Sequence, residues 1–253
     1  MRFRLKLFLT HLTLRAKARF SRTQKQARQT ILGFEVIGDS YELLSFLFYE
    51  LFIIEEYYFE SFRKDPLIYD CGSNIGFSIL YFKWLYPNAV IHAFEPQPVA
   101  FEFLQKNVVN NRLENVFLHN IALSNQEGTI EFFLPNGKVS LMASTLNERL
   151  DSDKILVKCE PLSNYIKDSD IDVLKIDVEG AEKEIIDDLD QTEKMGCFKR
   201  IIIEYHHKIG ARKSALSEFL NTLEKNKLEY QIQANYHSIP SFQDIIIDCY
   251  KSD

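Results

Sequence analysis

The chain has no Cys-x-x-C pair: its four cysteines, Cys71, Cys159, Cys197 and Cys249, lie far apart. That spacing supports neither a zinc site nor a disulfide framework, and it predicts free thiols in a reducing compartment. Long apolar runs are missing too. Near the N-terminus, Met1 to Leu14 mixes apolar and charged residues, and its runs fall well short of the ~20 residues a membrane span needs. No uninterrupted apolar core leads to a small-residue cleavage site, so no signal peptide is expected and the expected location is cytoplasmic. A Gly-Lys-Ser/Thr sequence is absent, which excludes a P-loop. Neither repeats nor low-complexity segments are evident.

Acidic residues are lacking from the first thirty positions, and the rest of the chain has an acidic excess. Residues 1–30 carry nine basic side chains (Arg2, Arg4, Lys6, Arg15, Lys17, Arg19, Arg22, Lys25, Arg28) and no acid. The rest holds 21 basic against 36 acidic residues, a balance of −15. A body so acidic lacks the basic footprint of a nucleic-acid binder, so no nucleic-acid partner is expected. The arm, basic and apolar at once, suits peripheral contact with an anionic membrane, or equally a solvated or self-packing leader.

The 253 residues are 46 % apolar and 26 % charged, the balance of a folded α/β domain with an appendage. Three parts are expected: a basic arm over 1–30, a helical cap over 31–62 and a main domain over 63–253. In the cap, Tyr41, Leu44, Leu47, Phe48, Leu51 and Ile54 recur at helical spacing. Tyr57 or Tyr58 could reach a ligand pocket from there. In the main domain, apolar strands at Leu67–Cys71, Ala89–Phe94, Val116–Asn120, Ile171–Asp177 and Arg200–Glu204 alternate with helical segments. Two more strands close the chain, at 229–235 and 244–250. This alternation predicts a Rossmann-like sheet, mostly parallel, with helices on both faces. Polar residues 135–153 read as an insertion that shapes an acceptor site.

In such sheets ligands bind outside the carboxyl ends of the strands. The acids Asp70, Glu95, Asp177 and Glu204 all fall there. The loop Asp70-Cys-Gly-Ser-Asn-Ile-Gly76 links the first strand to a helix, with Gly72 and Gly76 opening the backbone to a ligand. A dinucleotide fingerprint needs a glycine where Asn74 stands, and Asp70 would repel a diphosphate. S-adenosylmethionine has no phosphate. Glu95, 23 residues after Gly72, is placed to accept both ribose hydroxyls, with Pro96 beside it. Amides near Ser73 and Asn74 suit the methionine carboxylate, Asp70 the ammonium or the loop itself, and Asn120, Ile121 and Ala122 the adenine edge.

Together, D-C-G-S-N-I-G, A-F-E-P, N-I-A-L, L-K-I-D-V-E-G-A-E and I-I-I-E-Y-H resemble the FkbM-type S-adenosylmethionine-dependent methyltransferases. The resemblance runs from about Glu55 to His207. Cys71 stands where a branched aliphatic residue is usual. The resemblance implies a seven-stranded sheet with the last strand antiparallel, and O-methylation of a hydroxyl on a sugar, glycan or secondary metabolite. A hydroxyl acceptor needs a base. His206, which follows the last parallel strand, is the first candidate, then Asp177 and Glu179. The two acids equally suit capping the helix that starts near Gly180. Glu182 and Glu184 read as a solvated helix face. Asp177, Glu204 and His206 could hold a metal, but none is expected. Two other readings stay open: methylation of a nitrogen on a protein or nucleic acid, and a membrane-associated module that binds the cofactor without turnover.

Overall fold

The computed structural model describes residues 2–20, 26–135, 152–167, 170–207, 215–234 and 243–251. A helix, α1 (Arg2–Phe20), leads into a hairpin of β1 (Ala27–Ile31) and β2 (Phe34–Gly38). Next come α2 (Tyr41–Phe48) and a π-helical continuation, Tyr49–Ile54. Ser40 starts α2 by accepting the Leu43 amide on its hydroxyl at 3.1 Å. The single helix expected from Tyr41 to Ile54 therefore changes winding at Tyr49. The hairpin crosses residue 30, and α1 packs on α2.

The main sheet takes β3 (Leu67–Cys71), β4 (Val90–Phe94), β5 (Val116–His119), β9 (Ile171–Ile176), β10 (Phe198–His207), β11 (Leu228–Ala234) and β12 (Gln243–Lys251) in the order β11-β12-β10-β9-β3-β4-β5. Pairing from β10 through β5 is parallel. The one reversed strand, β12, lies between β10 and β11 and is antiparallel to both. A smaller sheet holds β6 (Ala122–Ser124), β7 (Gly128–Pro135) and β8 (Ser152–Pro161). Of the insertion expected over 135–153, residues 136–151 lie outside the described residues.

Alternation along each strand divides the core. Ile68, Ile91 and Val173 face α3 (Phe77–Leu85), α4 (Pro98–Asn110) and the N-terminal segment, where Leu44, Phe48, Phe52 and Phe82 are buried. Tyr69, Leu174, Ile201 and Ile247 face α5 (Glu182–Gln191) and α6 (Leu216–Lys225), through Ile185, Leu189, Phe219 and Leu223. Chain order reverses between β3 and β9, which opens the crevice where such folds bind ligands. All four cysteines are free thiols.

Candidate active site

The loop after β3 is built on left-handed backbone: φ is 84° at Gly72, 48° at Asn74 and 81° at Gly76. Gly76 starts α3. At Gly72 a Cβ would meet the Asp177 carbonyl oxygen at 1.7 Å, so only glycine lets the loop pass the end of β9. From α4, the buried Asn107 side chain donates to the carbonyls of Ile75 and Ile37, both at 2.8 Å, and accepts the Ile37 amide. One amide thus holds the loop and the N-terminal hairpin together.

Asp70 lies beneath the loop, fully buried. It accepts the Ser78 hydroxyl at 2.6 Å and pairs with the Lys175 ammonium at 3.3 Å. It orders the loop rather than facing a ligand. The Ser73 amide donates to the Phe94 carbonyl at 2.9 Å, and the Asn74 amide to Glu95 Oε2 at 2.8 Å. The two amides expected to take a carboxylate are therefore both engaged within the protein.

Glu95 follows β4 and is buried. Its Oε1 accepts the Gln97 amide at 2.8 Å. Each carboxylate oxygen keeps a second lone pair, so the ribose diol can still be accepted. Burial pushes the Glu95 carboxyl up to about 7, against the two backbone hydrogen bonds that favour its charged form. Within the same loop, Asn74 Oδ1 is buried without a hydrogen-bond partner, an acceptor suited to an ammonium or hydroxyl. Both features fit S-adenosylmethionine. Asn120 donates to the carbonyls of Glu95 at 2.8 Å and Pro96 at 3.3 Å, pinning that turn. Ile121 is buried in the core with Phe94, and Ala122 belongs to the small sheet; of the adenine-edge candidates, only Asn120 stands at the turn beside Glu95.

Across the crevice the carboxylates gather. Tyr57 is buried, and its hydroxyl lies 3.1 Å from both Asp177 Oδ2 and Glu204 Oε2. A phenol has one proton, so it serves one acceptor at a time. Burial and the Asp177 charge raise the Glu204 carboxyl well above its usual range. Nearby, burial and neighbouring acids raise Glu50 to about 9 and Glu56 to about 7.

Lys175 joins the two halves. It lies in β9 among apolar neighbours and is 1 % exposed. Its ammonium pairs with Asp70 at 3.3 Å and Asp177 at 3.2 Å, donates to the Gly72 carbonyl at 2.7 Å, and sits over the Tyr57 ring. Burial alone would lower its pKa; Asp177 and Asp70 outweigh that and raise it. The sequence reading passed over this residue. Its signal was position: a lysine inside an otherwise apolar parallel strand is costly unless paired.

His206 departs from expectation. It does not follow β10 but lies within it, because β12 extends the ladder by pairing Asp244 opposite His206. The ring is buried. Nδ1 is 2.6 Å from Glu182 Oε1, and Nε2 is 3.2 Å from Glu179 Oε2. Burial would lower its pKa, but Glu182 and Glu179 prevail and raise it well above the usual value. Glu182, expected on a solvated face, is 3 % exposed. It was misread because helical spacing cannot show a partner arriving from another strand. Asp177 and Glu179 do not cap α5; its N-cap is Ala181, and Glu182 accepts the Gly180 amide at 2.8 Å. Asp177, Glu179 and His206 offer ligand atoms within 4.8 Å of one another, as do Glu204, His206 and Asp244. The Lys175 ammonium beside Asp177 opposes a second cation in the first group.

A doubly wound sheet with its one reversed strand near the edge, a glycine loop at the switch point and an acid after the second strand together define the Rossmann-like methyltransferase fold. The chain belongs to the FkbM methyltransferase family, whose domain matches residues 70–232. It is 30 % identical over 199 residues to methyltransferase sdnD of Sordaria araneosa, covering 66 % of this chain and 76 % of that protein. It is 28 % identical over 141 residues to the 2-O-methyltransferase NoeI of Sinorhizobium fredii, covering 49 % of this chain and 57 % of NoeI. Among solved structures, M. jannaschii TYW2 in complex with AdoMet has the same fold, with a TM-score of 0.50 and 16 % identity over 91 % of this chain and 88 % of that one.

Proposed function

We propose that the chain transfers a methyl group from S-adenosylmethionine to a hydroxyl of a sugar, glycan or secondary metabolite. The observation that carries this reading is the contact of Gly72 with Asp177, which sets the cofactor loop directly against the carboxylate pair bridged by Tyr57. The similarity to NoeI, named a 2-O-methyltransferase, favours oxygen as the acceptor atom. The acidic body argues against nucleic acid as the acceptor.

The cofactor, when bound, supplies a methyl group on a sulfonium cation. Glu95 would hold the ribose, and Asn74 Oδ1 would accept from the methionine ammonium. Tyr57 and Lys175 orient Asp177 toward the acceptor, which is brought to near-attack distance by the crevice walls. Among Asp177, Glu179 and His206, the proton of the acceptor passes to Asp177. His206 lies between Glu182 and Glu179, which favour its protonated form and make it the weaker acceptor.

The test is transfer of labelled methyl from the cofactor to a panel of glycans, lipid-linked sugars and hydroxylated metabolites, with the product's linkage read by mass spectrometry. An O-methyl ether supports the proposal. Label on nitrogen would transfer the fold to another acceptor class. Cofactor binding with no transfer to any acceptor, protein and nucleic acid included, would make this a binding module.

A further inference from the structure

The helix α1 has two apolar faces, and only one of them is used. Inward, Leu7 and Leu14 are buried, and the His11 ring lies against Phe48 and Tyr49. Outward, Leu5, Phe8, Leu9, Leu12 and Phe20 are between 42 % and 83 % exposed. At 3.6 residues per turn, these five fall within an arc of about 120°, on the side opposite Leu7 and Leu14. The same geometry sets basic residues along both margins of the arc, Arg4 and Arg15 on one and Lys6 and Lys17 on the other, and places Arg19 inside it at the last turn. Lys17 also bonds Gln29 at 2.6 Å, so its margin is held against the hairpin.

We propose that this face seats the protein on an anionic lipid surface, with α1 lying in the plane of the interface. An exposed apolar stripe with lysine and arginine on its edges suits that position: the stripe enters the acyl boundary, and Arg4, Lys6 and Arg15 reach the phosphates while Lys17 stays on the hairpin. No helix among the described residues is long and apolar enough to cross a membrane, so the helix lies on the surface rather than spanning it. Charge decides between lipid and a second copy of the chain. Residues 1–30 hold nine basic side chains and no acid. A two-fold contact of this face with itself would set basic margin against basic margin, whereas anionic headgroups complement both. The rest of the molecule is acidic and repelled by such a surface, so α1 is the part that touches it.

The test is sedimentation of the full chain with phosphatidylcholine vesicles, with and without phosphatidylserine. Binding is expected only with phosphatidylserine and should weaken as salt is raised. The triple substitution Leu5→Glu, Leu9→Glu, Leu12→Glu changes side chains that already face solvent, so circular dichroism and S-adenosylmethionine binding should be unchanged. Its partitioning should fall about tenfold or more. No binding of the unaltered chain, or equal binding of the triple variant, overturns the proposal. So does a concentration-dependent dimer in analytical ultracentrifugation that the triple variant abolishes without any vesicle binding. These readouts are independent of the methyl acceptor.

Discussion

Gly72 and Asp177 meet backbone to backbone: the Asp177 carbonyl oxygen stands 1.7 Å from where a Gly72 side chain would begin. Neither chain segment can retreat cheaply. The Asp177 amide bonds the Cys71 carbonyl at 3.0 Å, and the Gly72 amide bonds the Phe94 carbonyl at 2.9 Å. Replacing Gly72 with alanine adds a clash to a backbone already at φ 84°. The expected loss is ~2–4 kcal/mol of stability, with cofactor affinity falling at the same time. Urea denaturation and calorimetry read the two. A Gly72→Ala protein as stable as its parent would contradict the packing described.

Glu95 offers a sharper separation of binding from folding. Glu95→Gln keeps the shape and the acceptor oxygen but removes the charge, and it should weaken cofactor binding by ~1.5–3 kcal/mol. The cofactor-free carboxyl titrates at about 7, and its charged form is the better acceptor. Affinity should therefore rise from pH 6 to pH 8 in the parent and stay flat in Glu95→Gln. A flat parent profile would remove Glu95 from the ribose site.

The acidic crevice sets a pH dependence of stability with an unusual sign. Glu50 at about 9 and Glu56 at about 7 lie above the ordinary carboxylate value, and Glu204 is raised as well. The folded chain therefore binds more protons than the unfolded chain from about pH 4.5 upward. Stability is fully present below that pH and declines as pH climbs toward 9. Glu50→Gln should flatten the upper part of this decline. Thermal unfolding of the cofactor-free protein at pH 6, 7.5 and 9 measures it.

Lys175 neutralises Asp70 and Asp177 from within the sheet. Lys175→Met leaves Asp70 buried, and Asp177 half-buried, without a cation, at ~3–5 kcal/mol. The double change Lys175→Met with Asp70→Asn should recover part of that loss in chemical denaturation. If Lys175→Met is as stable as the parent, the pairing is incidental.

His206 and Asp177 can be told apart by rate against pH. Were His206 the base, turnover at saturating substrate would climb above neutral pH, because Glu182 and Glu179 hold its proton. His206→Gln would then abolish that limb. With Asp177 as the base, Asp177→Asn lowers turnover about 100-fold or more, whereas His206→Gln keeps the shape of the profile.

Much of this architecture was legible in the chain. Strand and helix alternation is a local signal, and the acids at strand ends mark where the crevice lies; Asp70, Glu95 and Asp177 fall where the sequence put them, whereas Glu204 lies inside β10, which runs on to His207. The contacts they make were not legible. Tyr57 meets Glu204 across 147 residues of sequence, and no spacing rule spans that distance. His206 was placed beyond its strand because the register of β12 opposite β10 leaves no mark on β10 itself. Glu182 has the pattern of a surface residue until His206 arrives beside it. The loop amides of Ser73 and Asn74 were open on paper because their partners, Phe94 and Glu95, lie on the neighbouring strand and the turn after it.

The reversed strand β12 bears on the order of synthesis. Asp244, opposite His206, is held by β12 alone, and β12 also separates β10 from β11. A chain leaving the ribosome can pair β3, β4, β5, β9 and β10 before residue 243 has emerged. At that moment the cofactor loop is assembled, while one edge of β10 is still bare and the surroundings of His206 are incomplete. Among the described strands, β12 is therefore the one that completes the surroundings of His206, after the loop between β3 and α3 already has its partners in β4 and β9.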